Sequence, residues 1–124
     1  LFRQVGGSIG VSVFGAIFTN RLAHELAQRL PRGVLTHAPE LDAALAGFVD
    51  REVEQVDPIE RAALRIATYE LRHRPDVPYR VVINEAIDTT KRFGSEHGHT
   101  YVNGVLDHAA ASWRAAEFGA ARLR

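Results

Sequence analysis

Apolar positions return every three or four residues through the second half of the chain. Between 76 and 93, Ile83, Ala86, Ile87, Thr90 and Phe93 fall on one side of a helix. Arg80, Asp88, Lys91 and Arg92 take the other side. Asp76 stands where an N-cap belongs, Pro78 falls in the first turn, and Gly94 stops the pattern. Ser95 is the expected cap of a following helix, whose apolar face is Val102, Val105, Leu106, Ala109 and Trp113. Upstream, Asp57-Pro58-Ile59-Glu60 reads as a helix start, with Glu60 reaching back to the backbone of its cap. Ile59, Ala63, Ile66 and Ala67 make one apolar row, widened by Leu64 and Leu71. So broad a stripe predicts a central helix touched by several neighbours. A shorter helix is expected over 41–49, with Leu41, Ala44, Leu45 and Phe48 on one face. No stretch sustains strand alternation, so the fold class is all-α, a compact helical bundle.

The front of the chain reads differently. Residues 5–18 are small or apolar throughout and contain Gly6 and Gly10 at the spacing that lets membrane helices approach closely. Fourteen residues fall short of the roughly 18–20 that span a bilayer. Four glycines, each costing about 0.8–1 kcal/mol against Ala, make this a weak soluble helix. Residues 21–30 continue as an amphipathic helix, and Pro31, Gly33 and Pro39 mark 31–40 as a linker. The expected organisation is an atypical helical segment or hairpin over 1–35, a helical domain over 36–116 and a frayed tail over 117–124. Gly104 reads as the site of a close helix crossing, and Asn84 and Asn103 as polar caps tying helix ends together or as partner contacts.

Composition narrows the chemistry. Lys and Arg together number 15, as do Asp and Glu, so no global basic field announces a nucleic-acid binder. There is no Cys, which excludes disulfides and thiolate metal sites and agrees with a cytoplasmic location. No secretory cleavage pattern follows the apolar run. His97-Gly98-His99 places two imidazoles two residues apart, which diverge on a helix, and His73 has no ligand-like partner nearby in sequence. No metal site is therefore expected. Glu85 and Asp88 are accompanied by no nucleophile, phosphate loop or cofactor signature, so neither a catalytic site nor a cofactor is expected. Arg65, Arg80, Lys91 and Arg92 supply cations, and Tyr101 supplies a ring able to stack on an unpaired base.

VPYRVVINEAI at 77–87, KRFG at 91–94 and YVNGVLD at 101–107 occur in order and at the spacing of one known family. They resemble the C-terminal half of NusB, a family of bacterial transcription antitermination factors. The resemblance covers about two-thirds of the chain, weakening through 57–75 and fading near Leu41. It implies an all-α fold that pairs with NusE, a small-subunit ribosomal protein. Together the two would bind boxA-type RNA and help RNA polymerase resist termination on ribosomal RNA operons. It also implies that Glu60 faces NusE and that His97, His99 and Tyr101 lie near RNA. The family's Arg-rich first helix finds no counterpart before Leu41. If nothing refills that slot, the apolar face of 59–71 would drive dimerisation or aggregation. Residues 1–26 resemble instead the end of a transmembrane helix of major facilitator transporters, although no membrane association is expected from so short a run. Two other readings remain open: the RNA-binding module of a ribosomal RNA cytosine methyltransferase, and a chimera with a transporter remnant at its front.

Overall fold

The computed structural model describes Val34 and residues 36–122. Among these, five α-helices follow one another: α1 (Ala38–Leu45), α2 (Pro58–His73), α3 (Tyr79–Phe93), α4 (Gly98–Trp113) and α5 (Ala115–Arg122). A short 3₁₀ turn, Val53–Gln55, lies between α1 and α2, and no strand occurs among the described residues. The fold is all-α, as the apolar periodicity requires. The readings placed on residues 1–33 lie outside the described residues. Among those described, no helix is long and apolar enough to cross a membrane.

Helix α2 is the centre. Asp57 caps it, its side chain accepting from the Ile59 backbone N–H at 3.0 Å, and Pro58 begins it without needing a partner for a missing N–H. Ile59, Ala62, Ala63, Leu64, Ile66, Ala67 and Leu71 are all buried, so apolar side chains line most of its circumference. It packs against α1, α3 and α4, and α3 packs on α4. Ile83, Val105 and Leu106 are buried and Ile87 is partly buried against the same core. On α3 the buried face is wider than the sequence stripe. Val82 and Thr89 join it because the helix touches two neighbours. Thr90, fully buried, sends its hydroxyl back to the Ala86 and Ile87 carbonyls.

Several local expectations are corrected. Helix α1 starts at Ala38, inside the expected linker, because Pro39 sits in its first turn, where proline starts a helix rather than breaking one. Asp76 does not cap α3: its carboxylate takes a two-pronged ion pair from Arg74, and Pro78 holds the cap position. Gly104 borders open space, with nothing within 4 Å of an added Cβ. The close approach is at Gly98 instead, where a Cβ would run into the Glu60 carboxylate. Asn84 and Asn103 are both exposed, and no hydrogen bond among the described residues ties either to a helix end.

The two ends of α2 are held by side chains distant in sequence. At its start Glu60 does not close a capping box. Its buried carboxylate accepts from the Ser95 backbone N–H at 3.2 Å and from the Ser95 hydroxyl, fixing the turn between α3 and α4. Ser95 therefore serves Glu60, and His97 takes the cap position of α4. At the far end the Arg114 guanidinium donates to the backbone carbonyls of Glu70, Leu71 and Arg74 at 2.9–3.1 Å, satisfying the exit of α2. Arg114 also pairs with Glu117 at 2.6 Å, and the second Glu117 oxygen accepts from the Tyr79 N–H at 3.0 Å. These bonds, with the Phe118 ring tilted against Tyr79 at 5.2 Å between centroids, hold α5 against the rest of the bundle.

Two outcomes follow. Arg114→Met leaves three carbonyls without their donor and should lower stability by about 2–4 kcal/mol, read from urea unfolding midpoints. Gly98→Ala should destabilise by about 1–3 kcal/mol. The loss should shrink when Glu60→Ala is also present, since the clash is with that side chain; equal losses in both backgrounds would place the strain elsewhere.

Candidate nucleic-acid interface

The turn between α3 and α4 gathers most of the sequence-nominated groups. Lys91 and Arg92 end α3 and are exposed; His97 precedes α4 and is exposed; His99 and Tyr101, in the first turn of α4, are half-buried. The proximity is set by chain connectivity and by the Glu60 carboxylate beneath Ser95 and Gly98. The Arg92 guanidinium carbon lies 5.3 Å from the centroid of the Phe93 ring, a cation–π contact that holds the charged head against an aromatic face.

The loop after α1 completes this end. Arg51, which sequence reading did not single out, stands over the Tyr101 ring, its guanidinium carbon 4.8 Å from the centroid. Asp50 joins the two: it accepts from Arg51 Nε at 2.8 Å and from the Tyr101 hydroxyl at 3.2 Å. The Arg51 hydrogen bond, with a smaller contribution from Tyr101, holds the Asp50 carboxyl below its ordinary value. Burial first, and then the bond to Asp50, push the Tyr101 phenol above its ordinary value. No sequence signal links Asp50 and Arg51 to a tyrosine fifty residues away; packing of the loop on α4 does so. The face is mixed in sign, since Glu96, Glu52 and Glu54 are also exposed along these segments.

Three nominated residues stand apart. Arg80, at the other end of α3, is about 16 Å from Lys91 along the axis at 1.5 Å per residue. It lies over Tyr79 at 5.7 Å and lines a shallow cleft with Asn84, Asp107 and Phe118. Arg65 is committed to Asp42 through two hydrogen bonds of 2.8 and 2.7 Å, which raise its already high pKa and lock α1 against α2. Glu60 is turned inward and buried, its carboxylate accepting from Ser95.

The Asp50–Tyr101 bond has a pH window set by both shifts. Asp50, with a lowered folded pKa, contributes above the ordinary carboxylate range, and the contribution is lost as acid protonates it in the fold. Tyr101, with a raised folded pKa, contributes below the ordinary phenol value and the bond is lost as pH rises through the folded one. An ultraviolet titration should show Tyr101 ionising above the ordinary phenol value, identified by its loss in Tyr101→Phe, and Asp50→Asn should bring that transition down. An unchanged transition would mean that the bond does not form.

Comparison with known proteins fits this architecture. The model of the NusB family matches residues 16–111. The chain is 60% identical over 122 residues to a transcription antitermination protein NusB of Xanthomonas oryzae pv. oryzae, covering 94% of this chain and 78% of that one. It is 59% identical to the protein of the same name from Xanthomonas axonopodis pv. citri, covering 94% and 76%. The solved structure of T. maritima NusB superposes with a TM-score of 0.68 at 25% identity, covering 96% of this chain and 97% of that one. The family match begins well upstream of Leu41. Residues 16–40, which sequence reading set apart from the family, therefore fall inside it. With a family model matching residues 16–111, a 60% identical relative aligned along 94% of this chain and the all-α core in place, this chain belongs to the NusB family.

Proposed function

We propose that this protein is a transcription antitermination factor that grips boxA-type RNA together with the ribosomal protein NusE, as part of an antitermination complex with RNA polymerase in the cytoplasm. The observation that carries the reading is its identity of 60% to proteins bearing the antitermination name. The geometry supplies a matching surface. Tyr101 offers a ring for an unpaired base, and Arg51, Lys91 and Arg92 offer cations, with His97 and His99 between them. The role asks for no cofactor and no catalysis; binding, and the geometry of what is bound, would be the whole of the chemistry. Arg65 and Glu60 enter as residues that hold the scaffold, not as contacts, since both are already engaged inside the fold.

The test is a titration of the purified chain with NusE and boxA-type RNA at two salt concentrations. Binding should be tightest with all three components. It should also weaken with salt, because phosphate contacts release counterions. Tyr101→Ala should cost about 5- to 150-fold in RNA affinity, corresponding to roughly 1–3 kcal/mol per stacked base. Arg80→Ala, at the far end of α3, should leave RNA affinity unchanged. Absence of binding to both NusE and RNA would overturn the proposal.

A further inference from the structure

The fold brings together three ligand-bearing side chains that are scattered in sequence. His37 stands at the cap of α1, Glu40 in its first turn, and His73 is the last residue of α2. One donor atom from each, two imidazole nitrogens and a carboxylate oxygen, lie within 4.8 Å of one another. The two imidazole rings are 4.6 Å apart between centroids, and Tyr69, one turn before His73, packs against both at 5.8 and 5.2 Å. The scaffold under them is fixed, because Arg65 and Asp42 tie α2 to α1 through two hydrogen bonds while Leu41 and Leu45 are fully buried.

One atom in this cluster is unaccounted for by protein contacts. His73 Nε2 is buried and has no hydrogen-bond partner. Its closest anionic neighbour is Glu40 Oε1 at 4.0 Å, beyond hydrogen-bond reach. A buried imidazole lone pair left without a partner is unfavourable, and a metal ion bound to Nε2, with the ring proton on Nδ1, would satisfy it and draw in the Glu40 carboxylate.

We propose that His37, Glu40 and His73 form a binding site for a divalent transition-metal ion of the zinc class. Two imidazoles and one carboxylate make a donor set suited to zinc and its neighbours, and unsuited to calcium or magnesium, which want oxygen ligands throughout. Tetrahedral coordination at about 2.0–2.1 Å puts donor atoms roughly 3.4 Å apart. The three donor atoms already lie within 4.8 Å of one another. The Glu40 side chain, 54% exposed, has room to swing. Three protein donors leave one position for water or for a further ligand. The ion would join the start of α1 to the end of α2, acting as a clip between the two helices rather than as a reaction centre.

The full chain, stripped of metal with a chelator, is titrated with Zn²⁺ by calorimetry and its thermal midpoint followed; Co²⁺ is then substituted to read coordination from its visible absorption. The expected result is a single saturable site of micromolar affinity, a raised midpoint, a tetrahedral-type cobalt spectrum and no response to Mg²⁺. His73→Gln should abolish binding, and Glu40→Gln should weaken it by roughly tenfold or more. The double variant His97→Gln, His99→Gln should bind as the parent does. Circular dichroism checks the fold of each variant, and should His73→Gln fail to fold, the exposed Glu40→Gln position decides. No saturable binding, binding unchanged by Glu40→Gln, or binding removed with His97 and His99 would each overturn the assignment.

Discussion

The enclosure of α2 is the constraint on which the rest of the structure depends. A helix lined by apolar neighbours on most of its sides gains a large contact area but loses water at its ends, where backbone groups have no intrahelical partner. The chain meets this with groups from its second half. Arg114 covers three carbonyls at the exit of α2, and the Glu60 carboxylate, drawn inward at the entrance, takes its hydrogen bonds from Ser95. Each contact does two things at once. It satisfies a buried polar group, and it fixes where the next helix begins.

The candidate interface is a consequence of that arrangement. Because Glu60 holds Ser95 and leaves no room for a side chain at position 98, the α3–α4 turn is tight and the start of α4 is brought beside the end of α3. Lys91 and Arg92 then share one end of the molecule with Tyr101, and the Asp50–Arg51 loop lies over the ring. Cations that look equivalent in sequence are sorted by the fold. Arg65 and Arg114 are committed to internal partners, Arg80 lies at the opposite end, Arg51 stands over the Tyr101 ring while paired with Asp50, and Lys91 and Arg92 are exposed at the end of α3. The formal balance of charge hides this sorting, so net charge is a poor guide to binding here.

The same sorting applies to histidine. His97 and His99 are two residues apart in sequence and suggest a pair, yet they belong to the surface of the interface end. His73 has no partner in its own segment and finds His37 and Glu40 across the packing of α1 on α2.

The sequence by itself determined the helical class, the central place of α2 and the apolar faces of α2 and α4, because a stripe of period 3.6 has one way to become buried. It also determined the start of α2, since Asp57 and Pro58 act within a single turn of chain. The resemblance carried by 77–107 pointed to the family from the residues alone. Tertiary structure alone decided which polar groups are spent inside the fold. Glu60 reaches Ser95 across thirty-five residues, Arg114 reaches Leu71 across forty-three, and Tyr101 reaches Asp50 across fifty-one. Local pattern cannot encode such contacts, because a carboxylate or guanidinium is equally at home in water until packing removes the water. For that reason Asp76 looked like a cap and Gly104 like a close approach, while the structure puts Pro78 at the cap position and the close approach at Gly98, against the Glu60 side chain.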